Sequence, residues 1–266
     1  MKNTQIISVI NQKGGVGKTT TVINLATALA FRKKKILVID LDPQGNATTG
    51  LGLRNDDETK TIYDVLNGNS NFENTIKDTE IDNLKLVSSN VDLSGLEIET
   101  ASENRRAFLL KDKIENFINS SKNDFSYIFI DCPPSLSLLT IMSLVVANSL
   151  IVPLQTEFFA LEGLTQLIKT IDRIKINLNP ELKIRGVLLT MFDKRNKLSN
   201  QVDQEARKFF KNKVYETVIP RNVRLSEAPS HGTPVLIYDK MCSGSRSYLS
   251  FTEEFLKQED IMDSAA

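Results

Sequence analysis

Residues 6–30 carry the feature that most limits what this chain can fold into. An apolar run, Ile6–Ile10 (IISVI), leads into Lys13-Gly14-Gly15-Val16-Gly17-Lys18-Thr19-Thr20, and a stretch rich in Ala, Leu and Ile, Thr19–Ala30, leads out. Strand, glycine loop and helix in that order are the setting of a phosphate loop, usually written G-x-x-x-x-G-K-[ST]. Gly17, Lys18 and Thr19 supply its second half, but Gln12 stands where the first glycine should be, followed by a second lysine, Lys13. Gly14, Gly15 and Gly17 let backbone N–H groups converge on phosphate oxygens with no Cβ in the way. The helix start adds its positive end. Lys18 can then reach the β- and γ-phosphates of a nucleotide, and the Thr19 hydroxyl can ligate Mg²⁺. Residues 13–20, including Val16 and Thr20, form the candidate nucleotide-binding segment.

The rest of the chain repeats the alternation. Ile36–Asp40, Leu84–Ser88, Tyr127–Asp131, Leu150–Leu154, Gly186–Phe192 and Val214–Ile219 read as strands. Glu103–Ile118, the stretch after Pro134, Gly163–Ile176, Val202–Phe210 and Ser243–Leu256 read as helices. Near-continuous apolar strands separated by helices predict a doubly wound α/β fold, a mostly parallel sheet with helices on both faces, of the P-loop NTPase type. Ligands of such sheets bind beyond the C-terminal ends of the strands. The polar stretch Asn55–Asn83 reads as an excursion with a short helix at Thr61–Leu66. With no linker, repeat or low-complexity run, residues 1–266 are expected to form one P-loop ATPase domain, its ordered core at about 4–257. The first strand starts too near the N-terminus to leave room for a helix-turn-helix extension.

Two strand ends carry carboxylates. Asp40 and Asp42 are two apart on an extended chain, which points them the same way and, at a C-terminal strand end, toward the nucleotide. Asp131 follows the run YIFI, a pattern that alone is common; with the phosphate loop it reads as the carboxylate that holds Mg²⁺, directly or through water.

Composition removes other classes. The single histidine, His231, argues against a His-rich metal site and a His-based triad, and two cysteines, Cys132 and Cys242, are too few for a disulfide framework. They suit free thiols in a reducing cytosol. Lys+Arg and Asp+Glu are both 33, so no basic tail is built to grip nucleic acid, although a local patch is compatible with that balance. The N-terminus lacks a signal-peptide core, and no run is long and apolar enough to span a bilayer.

The loop KGGVGKTT resembles the deviant Walker A loop of the ParA/MinD group of P-loop ATPases. DLDPQGNAT (40–48), DCPPSLSLLT (131–140), ALEGLTQL (160–167), GVLLTMFD (186–193) and VIPRNVRLSEAPSHGTPV (218–235) are similar, in order, to chromosomal ParA proteins, often called Soj. The resemblance runs from about residue 4 to residue 257. It implies a slow, partner-stimulated ATPase with ATP and Mg²⁺ as cofactors. It also implies a homodimer with ATP at the interface, non-specific binding to double-stranded DNA, a ParB-type protein partner, and a place in the cytoplasm on the nucleoid. By the same resemblance Lys13 reaches across the interface to the partner subunit's ATP, Asp42 positions the attacking water, and Asp40 supports the Mg²⁺ side with Thr19 and Asp131. Arg195 and Arg224, with Arg221, are the expected DNA contacts; Pro220, Arg221 and Asn222 could instead line the adenine pocket. The acidic C-terminal stretch, SFTEEFLKQEDIMDSAA, argues against a MinD-like membrane anchor. A ParA-like ATPase that positions another cargo remains the competing reading.

Overall fold

The apolar runs become the strands of one seven-stranded sheet in the computed structural model, which describes residues 4–56, 58–120, 124–157 and 160–264. In chain order the strands are β1 (Gln5–Val9), β2 (Ile36–Asp40), β3 (Ile76–Asp78), β4 (Leu84–Val87), β5 (Tyr127–Asp131), β6 (Ser149–Gln155) and β7 (Lys183–Thr190). Their spatial order is β3-β4-β2-β5-β1-β6-β7, and every pairing but β3–β4 is parallel. The longer helices are α1 (Lys18–Phe31), α2 (Leu109–Ser120), α3 (Leu138–Val146), α4 (Ala160–Asn177), α5 (Lys197–Phe210) and α6 (Ser243–Ser264).

Strand period two divides the core into two layers. Leu37, Ile39, Ile128 and Ile130 face one layer, closed by α2, α3, α4 and α5. Ile36, Val38, Tyr127 and Phe129 face the other, closed by α1 and α6. Both faces of the central strands are therefore dry, which is why β2 and β5 are apolar throughout rather than alternating. Helix α6 is held to its face by Phe251 and Phe255, both fully buried. Burial of each such ring contributes about 2–3 kcal/mol. Arg185 lies over the Phe255 ring at 3.9 Å. It can do so because the β6–β7 register steps past it, pairing Leu150 with Ile184 and Ile151 with Gly186; a bulge re-aims the skipped side chain.

Two expectations are corrected. Val214–Ile219 is not a full strand; it touches the β7 segment through isolated bridges, Val187 with Val214 and Phe192 with Pro220. The ladder is interrupted in its middle: the Tyr215 and Ile219 amides bond to Val187 O and Leu189 O of β7, at 3.0 and 2.8 Å, but the Glu216 and Thr217 amides between them donate to the Glu254 carboxylate on α6, at 2.7 and 2.9 Å. The polar excursion also holds more order than expected. Beside the helix Ile62–Leu66, capped by a Thr61/Asp64 box, it carries the helix Phe72–Thr75 and the antiparallel edge strand β3.

Candidate nucleotide site

The parallel order delivers the ends of β1, β2 and β5 side by side. Asp131 is in register with Val9 on one side and Asp40 on the other. The loop after β1 is anchored by Asn11, a residue sequence reading passed over. Its side-chain N–H donates to Pro153 O at 2.7 Å and its oxygen accepts from the Lys13 amide at 3.0 Å. The loop then turns through Gly15 (φ 73°) and Gly17 (φ 89°), left-handed conformations costly for any residue with a Cβ. Val16 is buried beneath it, and its carbonyl accepts the Thr190 hydroxyl from the end of β7 at 2.8 Å. α1 starts at Lys18, so its free N–H groups and positive dipole end point where the loop closes.

The loop opens onto a cleft of about 540 Å³ lined by Gly14, Gly15, Gly17, Lys18, Thr19 and Thr20 at one end and Pro220, Arg221 and Asn222 at the other. Asp42 lines it too. The two lysines part company here. Lys18 is 6 % exposed, donates to the Lys13 carbonyl at 3.1 Å and lines the cleft. Lys13 lies outside the cleft, exposed on the rim, with its ammonium paired to Glu157 at the end of β6.

The carboxylates do not act as a set. Asp40 is fully buried and spent: it accepts from the Thr48 amide (2.7 Å) and hydroxyl (2.8 Å) and the Asp42 amide (3.2 Å). The expectation that Asp40 and Asp42 face the cleft together is thus half met. Asp42 reaches it, while Asp40 is turned into the fold beside Asp131 because Thr48 supplies the donors there. Asp131 is the opposite case. It is fully buried, and neither oxygen makes a hydrogen bond among the described residues. The Lys18 ammonium and Thr19 hydroxyl face it and favour its charge. A buried, unsatisfied carboxylate is costly unless a cation completes it. Together with the Thr19 hydroxyl, Asp131 fits a Mg²⁺ ion that takes its remaining ligands from phosphate oxygens and water. Among the described residues, no group of three His, Cys, Asp or Glu side chains forms a metal cage of its own.

Burial sets the protonation states. It pushes Lys18 below its ordinary range, opposed by the charges of Asp131, Cys132 and Asp42. It raises Asp131 well above the usual carboxylate range, Asp40 to about 6, and the Cys132 thiol to about 12, which leaves that cysteine inert. A carboxyl whose folded pKa is raised binds its proton more tightly in the folded chain. Through Asp40 the stability of the nucleotide-free protein therefore falls as pH rises from about 4 through 6, and Asp131 adds a fall of the same sign. Asp131→Asn is expected to relieve this. At neutral pH its melting temperature should exceed wild type by about 5 °C, corresponding to roughly 2 kcal/mol, with the difference shrinking near pH 4. Calorimetry at the two pH values checks it.

The geometry has matching relatives. The AAA domain family matches residues 4–184. Chromosome partitioning protein ParA of Caulobacter vibrioides is 50% identical over 255 residues, 96% of this chain and 95% of that protein. Sporulation initiation inhibitor protein Soj of Bacillus subtilis is 48% identical over 94% of this chain and 97% of its own. The chain belongs to the ParA/Soj family.

Solved structures agree in fold. The cobyrinic acid a,c-diamide synthase of Mycobacterium smegmatis, with bound ADP and magnesium, superposes with a TM-score of 0.84 at 32% identity, covering 97% of this chain and 96% of its own. The septum site-determining protein MinD of Pyrococcus horikoshii, complexed with Mg-ADP, gives 0.76 at 26% identity, covering 95% and 96%.

For a ParA/Soj chain, the far wall of the cleft is what sequence reading left out. Thr190 and Met191 at the end of β7, Ile23 on α1 and Tyr248 on α6 line it. Met191 holds a left-handed φ of 52°, a conformation costing about 1–3 kcal/mol that tends to persist at functional sites. Asn222 caps the helix Val223–Glu227 through Leu225 N and donates to Ser243 Oγ at 2.8 Å, so both its polar atoms have partners within the chain. The candidate DNA residues cluster beside this wall. The Phe192–Pro220 bridge brings Arg195 and Arg221 to one edge, both near Asp193. The Arg195 side chain is 91% exposed and paired with Asp193. Arg224 is held by two carboxylates, Glu227 at 2.8 Å and Asp239 at 3.5 Å.

Proposed function

We propose that this chain is a Mg²⁺-dependent ATPase that dimerises around ATP, binds double-stranded DNA without sequence preference and drives chromosome or plasmid segregation with a ParB-type partner. The observation that carries the reading is the division of labour between the lysines. Lys18 serves the chain's own cleft. Lys13 sits on its rim, half-exposed and outside the cleft, and once released from Glu157 it would serve the γ-phosphate in a second subunit, where a cation supplied in trans stabilises the charge of phosphoryl transfer. Gly14, Gly15, Gly17 and the start of α1 cradle the phosphates, and Val16 offers only its backbone N–H. Thr19 and Asp131 would hold the Mg²⁺, with Asp40 adding negative charge to that side from behind. Bound Mg²⁺ supplies charge neutralisation at the transferred phosphoryl group. Asp42, at the cleft wall with its carboxylate fixed by the Gln44 amide at 3.0 Å, orients the attacking water. Pro220, Arg221 and Asn222 wall the base. Hydrolysis, slow until the partner arrives, then resets a DNA clamp on the nucleoid in the cytoplasm.

Exposed Arg195 and Arg221, and Arg224 once freed from its carboxylates, supply the phosphate contacts. The test is binding to random-sequence duplex DNA with and without ATP, across a salt series, with mass followed by light scattering. Wild type should bind only as an ATP dimer. Arg195→Ala should dimerise normally, bind more weakly on every sequence, and lower the slope of log affinity against log salt by about one for each phosphate contact removed. A wild-type ATP dimer that ignores DNA at low salt overturns the segregation reading in favour of an ATPase that positions another cargo.

A further inference from the structure

Charge is unevenly spread along this neutral chain. Residues 160–213 hold twelve Lys and Arg against six Asp and Glu. Part of that surplus stands at the end of β7 near the nucleotide cleft. The rest gathers at the opposite end of the strand, where α4 and α5 leave a groove between them.

Its floor is apolar. Two depressions, of about 360 and 330 Å³, meet at Phe209 and Phe210 of α5. Along α4, Leu164, Ile168 and Ile171 lie at helical spacing with Lys175 next in line; Leu164 and Ile171 are closed into the core, and Ile168 is the one of the three left partly open. The stretch from 164 to 175 is about 16 Å long, or three helical turns. Phe209 is 64% exposed, although its neighbour Phe210 packs into the core. Such a ring on a soluble surface marks a contact site when it lies in a groove rather than alone. The walls are basic: Lys175, Lys183, Lys208 and Lys213 line them, against Asp172 and Glu205. None of those four lysines is in an ion pair among the described residues.

We infer that this groove docks an acidic amphipathic helix of a protein partner. The occupant follows from the two chemistries together. Lysines alone would suit any polyanion, including DNA. An exposed phenylalanine, with the partly open Ile168 and Ile184 beside it, suits apolar side chains at i and i+3/i+4, which a nucleic acid backbone lacks. Acidic residues flanking that apolar face would meet the lysine walls and speed the encounter. The groove lies at the start of β7, and the phosphate loop is braced at its end.

The probe is a fluorescein-labelled synthetic helix of about five turns, with Leu and Phe on one face and Glu on the rest, followed by anisotropy on the full-length protein. A scrambled peptide of the same composition and a random duplex DNA are run beside it. The variants are Phe209→Ser and Lys175→Glu/Lys213→Glu, at exposed positions except for the half-buried Lys175, checked by their melting curves and by unchanged basal ATP turnover. The inference expects wild type to bind the helix and not its scramble. Phe209→Ser should weaken binding about tenfold, as loss of a central aromatic anchor does, and the charge reversal should abolish it at low salt. Equal binding of peptide and scramble overturns it, because the surface then reads charge alone. So does peptide binding that Phe209→Ser leaves unchanged. A charge reversal that reduces DNA binding while no peptide binds reassigns the surface to nucleic acid. Self-association that disappears in Phe209→Ser reassigns it to a second copy of the chain.

Discussion

Lys13→Ala is expected to bind ATP as tightly as wild type, remain a monomer in its presence, and lose turnover by roughly 10³-fold, the scale on which a trans-acting cation matters in phosphoryl transfer. Its contrast with Lys18→Ala makes the result informative. Lys18 lines the cleft, is 6 % exposed and faces the Asp131 carboxylate, so its removal should cost nucleotide binding itself and leave that carboxylate without its nearest cation. Lys13 is on the rim, outside the cleft, its ammonium paired with Glu157. Equilibrium binding of a fluorescent ATP analogue, light scattering and phosphate release separate the two. The trans role is lost if Lys13→Ala still dimerises with ATP and hydrolyses it at the wild-type rate, or if it fails to bind nucleotide at all, which would make it a second cis lysine.

Gly186→Ala is expected to lower the melting temperature by about 5–10 °C with no change in any residue of the cleft. A Cβ at position 186 would lie 2.4 Å from Tyr215 Cε2 and 2.7 Å from Cζ. That ring cannot swing away, because Tyr215 is fully buried and stacks edge-on against Phe251 with centroids 4.7 Å apart. Overpacking a rigid core costs about 1–3 kcal/mol or more, and in a chain of this size each kcal/mol moves the midpoint by about 2–4 °C. Thermal unfolding followed by circular dichroism measures it. A midpoint within a degree of wild type would mean that Tyr215 and the Glu216–Thr217 turn yield easily, contrary to the packing.

Much of the fold and the phosphate end of the site were legible in the sequence because they rest on local rules. Ile36–Asp40 and Tyr127–Asp131 are apolar throughout because both faces are covered, and KGGVGKTT must bend where Gly15 and Gly17 sit. The errors lie where a distant residue decides. Val214–Ile219 has strand composition, yet Glu254, some forty residues on, takes the two amides in its middle. Asp40 and Asp42 look alike two apart, yet Thr48 claims one of them. Asn11, Thr190 and Met191 carry no motif of their own; their roles exist only once β6 and β7 lie beside the loop. A non-glycine residue in the left-handed region, as at Met191, leaves no mark that could be read before folding.

The bond from the Thr190 hydroxyl to the Val16 carbonyl has a mechanical meaning. Val16 is in the phosphate loop, and Thr190 is five residues from Arg195, with the strained Met191 between them. The loop that senses the nucleotide and the edge that presents the arginines are thus the two ends of one short lever. Its pivot is a residue already held away from its resting conformation. A shift of the loop would have a short way to travel to reach Arg195: one hydrogen bond and five residues of chain.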